Sequence, residues 1–191
     1  MKKKVLPGLL IACAMLLGPI KVIAADYKLD PTHSFINFKV SHLGFSWLLG
    51  RFNKLSGELN FDSADPEASK ISVLIDTTSL DSNHSERNIH LKGEEYLDVK
   101  TYPEAKFVST SYRGSEQGGI LSGKLTLHGV TKEINFDIKK VGEGDDPWGG
   151  YRAGFEGSIT IKRTDFGMES NLGPLANDVY LDLFIEGVRQ K

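Results

Sequence analysis

Cysteine is almost absent from this chain. Its one cysteine, Cys13, lies in an N-terminal apolar run, so nothing from Ala25 onward can form a disulfide. A hydrophobic core must then hold the fold, and 191 residues suffice for one domain to build it. An excess of basic charge is missing too. Without Lys2, Lys3, Lys4 and Lys21, the 23 Lys and Arg residues become 19 against 25 Asp and Glu, a net charge of −6. That balance speaks against nucleic acid, whose phosphates require a basic face. Chemistry-bearing motifs are also lacking: no HExxH, no CxxC and no GxSxG. The acidic stretch GEGDDPWGG (142–150) lacks the spacing of a calcium loop. No catalytic residue, cofactor or metal is expected, and there is no βαβ pattern for a parallel sheet.

The first residues read as a cleaved secretory signal, residues 1–24, ahead of a single domain, residues 25–191. Lys2, Lys3 and Lys4 form a basic start, Val5 to Ile20 is apolar, and Val22-Ile23-Ala24 is a small-residue exit. The apolar run, about 16 residues, is shorter than the roughly 20 a spanning helix needs, so no stable membrane span is expected. Leu10-Ile11-Ala12-Cys13 also fits a lipidation site, but cleavage there would leave the apolar Ala14-Met15-Leu16-Leu17 as the new terminus.

From Tyr27 the pattern has period two, which places alternate side chains on opposite faces of a strand. Ile36, Phe38 and Val40 share one face; Leu55, Gly57, Leu59 and Phe61 mark a second strand, and Ile71, Val73 and Ile75 a third. Ala105, Phe107 and Ser109 follow, then Leu121 to Leu127, Ile134 to Ile138, Phe155 to Ile161, and Val179 to Ile185. His128-Gly129 fits a two-residue hairpin turn. HLGFSWLLGRF (42–52) shows no clean alternation and reads either as an apolar loop or as a bulged strand. Eight sequential half-apolar strands predict an all-β, antiparallel sheet closed on itself, with two packed sheets as the rival. An eight-stranded barrel is either filled or holds one small ligand.

One stretch breaks the pattern. Asp81 to Phe107 carries a short helical insertion near residues 83–97, capped by Ser82 or Asn83 and ended by Gly93. His84, Arg87 and His90 could offer N–H donors to a polar headgroup at a cavity mouth. His84, Glu86 and His90 could alternatively serve an envelope enzyme acting on a lipid. The six-residue spacing of the two histidines does not stack them on one helical face, which weakens both zinc and catalysis. A purely structural cap is the plain alternative.

Four segments carry a family resemblance: ADYKLDPTHSFINFKVSHLGFSWLLGRF, NHSERNIHLKGEEYLDVKTYPEAKF, GKLTLHGVTKEINF and GDDPWGGYRAGFEGSITIKRTDFGM. In order and spacing they resemble the YceI-like periplasmic proteins. The resemblance implies an extended, lipocalin-like antiparallel barrel and a long apolar cavity for amphiphiles of polyisoprenoid or fatty-chain type. It also implies a periplasmic location and a binding or carrier role rather than catalysis. On this reading Phe38, Phe107, Phe136, Phe155, Ile159 and Leu181 line the pocket; otherwise they simply fill the barrel. A homodimer is left open.

Overall fold

The period-two alternation is realised as strands through most of the described residues. The computed structural model describes residues 24–191, with the backbone alone for Pro174; the basic N-terminus and Cys13 lie outside the described residues. In chain order the strands are β1 (Ala25–Leu29), β2 (Phe35–His42), β3 (Ser46–Phe52), β4 (Leu55–Phe61), β5 (Lys70–Asp76) and β6 (Leu80–Asp81). The helix α1 (Ser85–Lys92) follows, then β7 (Glu104–Ser115), β8 (Gly118–Leu127), β9 (Val130–Asp145), β10 (Tyr151–Lys162) and β11 (Asp178–Arg189). Short 3₁₀ turns occupy Pro66–Ala68, Thr77–Ser79, Arg163–Phe166 and Pro174–Ala176.

Eleven strands make eight staves. β1 and β2 both pair antiparallel with β11, at Tyr27↔Arg189 and Phe38↔Leu181, so they are two lengths of one stave. β4 pairs with β1 and β3 with β2, while β6 extends β5 to meet β3. β7 to β11 then follow as antiparallel neighbours, and β11 closes on β1. The result is the closed, eight-stranded, antiparallel barrel with one short helix that the alternation predicts. Its single continuous sheet rules out two packed sheets.

Residues 42–52 resolve into the β2–β3 hairpin, turned through Leu43 and Gly44 at positive φ. Both faces of β3 carry large apolar groups. Leu48 and Phe52 face inward while Trp47 and Leu49 lie outside at 51% and 64% exposure, which hides the alternation. Gly50 is needed there because a Cβ would stand 2.3 Å from the Phe38 ring, which lies across it. His128-Gly129 makes the expected two-residue turn, both residues at positive φ between Leu127 and Val130.

Strand direction sorts the connections to two ends of the barrel. The β2–β3 turn, the α1 connection, the His128-Gly129 turn and the β10–β11 connection share the helix end. The start of β1, the finish of β11 and the β4–β5, β7–β8 and β9–β10 connections share the other, the terminal end. The β9–β10 ladder stops at Ile138↔Gly157, so these strands part toward the helix end. Phe166, 2% exposed, is anchored there by His128, whose Nδ1–H donates to its carbonyl (2.9 Å).

Candidate functional site

The inward faces do not fill the barrel. They enclose a cavity of about 260 Å³ that runs from α1 and the β10–β11 connection to the terminal end. Its wall is almost wholly apolar. Aromatic pairs mark its length: Phe38 and Phe52 with ring centroids 5.9 Å apart, Phe107 and Phe136 at 5.7 Å, Phe61 and Phe155 at 5.3 Å. The rings can lie flat along the wall partly because facing strands present glycine. At Gly123 a Cβ would come within 2.5 Å of Phe107 Cζ.

The two ends differ in their polar groups. At the terminal end Lys140 borders the cavity, with its side chain 11% exposed. Its ammonium donates to the Glu116 carboxylate, lies 3.7 Å from Glu143 and stands over the Phe61 ring. At the helix end Arg163 borders the cavity and is 7% exposed. Its Nε donates to Ala176 O (3.0 Å) and its Nη1 to Met168 O. Leu91, Tyr96 and Leu97 cover this end from the α1 segment, and the Ser170 hydroxyl donates to Glu95 O (2.5 Å), tying the β10–β11 connection to it.

A polar cluster lies apart from the cavity wall. Arg152 Nη1 donates to Asp30 Oδ2 (2.6 Å) and Glu186 Oε1 (2.5 Å), and its Nε to Asp146 Oδ2 (2.8 Å). His33 Nδ1 is 2.9 Å from the same Asp30 oxygen. Burial disfavours the charged form of Asp30, yet hydrogen bonds from Thr32, His33 and Arg152 outweigh it and hold its carboxyl well below the usual range. Asp30, His33 and Glu186 bring donor atoms within 4.8 Å of one another, the geometry a metal would need. Arg152 already occupies the two carboxylates, so the trio is satisfied as an ion-pair network.

Residues 27–187 match the family described as the YceI-like domain. The chain belongs to the YceI-like family. It is 47% identical to a UPF0312 protein of Pseudomonas aeruginosa, with both chains covered in full. Among solved structures it is similar to BcnA of Burkholderia cenocepacia, at TM-score 0.73 and 25% identity, over 83% of this chain and 98% of that one. It shares its fold with a polyisoprenoid binding domain from Saccharophagus degradans, at TM-score 0.65 and 20% identity, over 87% and 99% of the two chains.

In this YceI-like chain Phe38, Phe107, Phe136, Phe155, Ile159 and Leu181 all stand on the cavity wall. The α1 segment contributes Leu91, Tyr96 and Leu97 to that wall, whereas His84, Arg87 and His90 are not part of it. His84, rather than Ser82 or Asn83, is the N-cap, and its Nδ1 accepts from Arg87 N (3.3 Å). The difference has a backbone cause: Asn83 takes φ +60, which turns the chain one residue later than a capping box would. Arg87 Nε donates back to Ser82 Oγ (2.9 Å), and Asn88 Oδ1 accepts from Ser82 N (2.8 Å). These bonds brace the entry to the helix. Gly93 ends it, as expected.

Arg163 and Lys140 were not singled out by the sequence reading, although a signal was present. Continuing the parity of Phe155, Gly157, Ile159 and Ile161 by one step reaches Arg163. Continuing Ile134, Phe136 and Ile138 reaches Lys140. In each case the apolar face of a strand ends on a cation.

Proposed function

We propose that this protein binds and carries amphiphilic small molecules with long apolar tails, of polyisoprenoid or fatty-chain type, inside the barrel. The observation that carries this reading is the cavity itself, a continuous apolar channel along a barrel whose inward residues leave it open. Each CH₂ moved from water into such a channel contributes about 0.8 kcal/mol, so a ten-carbon tail gains roughly 8 kcal/mol before the cost of ordering it. Polar contacts then need only orient the head. The shared fold with a domain described as polyisoprenoid binding supports the same ligand class.

Binding is preferred to catalysis because no histidine among the described residues borders the cavity and the His84 ring is engaged in capping α1. The signal-like segment of residues 1–24 supports action in the periplasm. Among the described residues no helix is long and apolar enough to cross a membrane.

Native mass spectrometry of protein purified from the periplasm tests the reading. Expected is a mass above that of the chain alone, shed on organic extraction and restored by an isoprenoid or fatty amphiphile. A clean unliganded mass that takes up neither would remove it.

A further inference from the structure

The helix end carries an outer face that the cavity does not use. Leu43 and Phe45 on the β2–β3 turn, Trp47 and Leu49 on the outer side of β3, and Leu175 in the β10–β11 connection are all large, apolar and exposed, Phe45 at 87%. None of the five borders the barrel cavity. Leu175 lies against the turn, since a Cβ on Gly44 would stand 3.1 Å from its Cδ1. Trp47 meets the Tyr180 ring of β11 edge-on, with centroids 5.5 Å apart. The two connections therefore present one patch, and a contiguous exposed apolar patch marks an interaction surface.

Folding alone does not account for the turn. Leu43 and Gly44 both take positive φ, and the Phe45 N–H donates to His42 O (3.0 Å), a geometry that Asn-Gly or Gly-Gly serves best. A leucine there incurs backbone strain and, being exposed, gains no burial in return.

The order of groups back from the turn matches a lipid bilayer. Leu43, Phe45 and Leu175 stand at the tips of their connections. Trp47 comes next along β3, and beyond it the register sets Tyr180, Lys39 and Leu49 in one row across β11, β2 and β3. Lys39 Nζ lies 5.2 Å from the Trp47 ring centroid and 5.3 Å from that of Tyr180. Apolar tips, then aromatic rings, then a long-stemmed cation suit hydrocarbon, interface and headgroup in turn. Asp178 and Asp182 share the parity of Tyr180 on β11, yet among the described residues no carboxylate comes within ion-pair distance of Lys39. An anionic headgroup supplies that counter-charge. A second copy of the chain does not, because a two-fold contact through the patch sets Lys39 toward its own copy.

We propose that this face is a membrane-docking surface that seats the helix end on an anionic bilayer, with Phe45 as its main apolar anchor. Docking through it turns α1 and the β10–β11 connection, which cover the cavity, toward the lipid. The face is separate from the cavity wall, so this proposal and the carrier reading can fail independently.

The test is flotation of protein purified from the periplasm with vesicles of phosphatidylethanolamine and phosphatidylglycerol, set beside phosphatidylcholine vesicles. The wild-type protein should float with the first and far less with the second. Phe45→Ser should lower the partition coefficient about tenfold. Lys39→Gln should lower it about fivefold on the anionic vesicles only. The two tryptophans, Trp47 and Trp148, lie at opposite ends of the barrel and report the orientation. With Trp148→Phe, the emission of Trp47 should shift to the blue on anionic vesicles; with Trp47→Phe, that of Trp148 should not. Absence of wild-type flotation, or equal flotation on phosphatidylcholine, overturns the proposal. So does flotation that survives Phe45→Ser, the result expected if the N-terminal apolar run were the anchor, and so does a blue shift of Trp148 without one of Trp47. A dimer seen by sedimentation that Phe45→Ser dissolves, with no flotation, assigns the face to a second copy and overturns it as well. Ligand uptake read by native mass spectrometry stands as the separate test of the carrier reading.

Discussion

The two ends of the barrel are closed by different means. At the terminal end the staves stay paired: β1 bridges β4 and β11, and β9 and β10 remain paired there across one register shift. Its interior cation, Lys140, is neutralised by Glu116 and Glu143. At the helix end β9 and β10 part, the β10–β11 connection and α1 cover the opening, and Arg163 has no acid partner among the described residues. At one end the wall strands stay paired by backbone hydrogen bonds and the interior charge is matched. The other is closed by side-chain packing with a charge left over. On the proposed carrier reading the second arrangement suits a ligand that must enter, because a packed lid moves at lower cost than a ladder breaks.

The comparison has consequences for mutation. The largest effect on stability is expected at the helix end, where Phe166→Ala removes a 2%-exposed ring beneath the lid. It should cost about 3–5 kcal/mol, read by urea titration. A loss below about 1 kcal/mol would show that the packing there collapses freely and that the two ends are not closed by different means.

Ile159→Trp places bulk in the channel between the ends. Displacing about four CH₂ groups of a tail removes roughly 3 kcal/mol, or roughly a hundredfold in affinity for a long-chain ligand. Unchanged affinity by fluorescence titration would mean that the tail does not pass between the ends on this side.

Acid should act through matched charge rather than through the lid. Asp30 is depressed by its hydrogen bonds from Thr32, His33 and Arg152 in spite of burial, and Asp146 by the Gly150 N–H first and then by Arg152. A carboxyl with a lowered folded value stabilises above its unfolded value of about 3.9, and that stabilisation is lost as pH falls through the folded one. The thermal midpoint should therefore hold level above about pH 5 and fall below about pH 4, with a shallower fall in Asp30→Asn. An equal slope in that variant would place the acid sensitivity elsewhere.

The smallest effect is expected at Lys139, whose ammonium lies 3.4 Å from Glu156 on the exposed outer face. Lys139→Ala should cost less than about 1 kcal/mol. A larger loss would mean that outer-face pairs also hold the terminal end.

Much of this was legible in the residues. Ile36, Phe38 and Val40, like Leu121 to Leu127, declare strands because each face has a single character, wet or dry. β3 was ambiguous because Trp47 and Leu49 make its outer face apolar as well. β7 was read only as far as Thr110, because a bulge between Ser109 and Ser111 shifts the parity and brings Tyr112 inward. Parity had named the six residues that stand on the cavity wall, and it could have named Arg163 and Lys140, one step further along the same strands. What parity could not supply was that, among the described residues, one of those cations has acid partners and the other has none. Glu116 and Glu143 reach Lys140 from the β7–β8 turn and from beyond a register shift in β9, neither of which a periodicity encodes.

The sequence by itself determined the number of staves, their inward faces and the one break in the pattern at residues 81–107, because alternation and turn residues are local properties. Only the tertiary structure decided that β1 and β2 share a stave, that the interior is hollow, and that β9 and β10 part at the helix end. Those outcomes depend on closure, on which rings lie across Gly50 and Gly123, and on which charges meet over long sequence distances. No residue settles these alone.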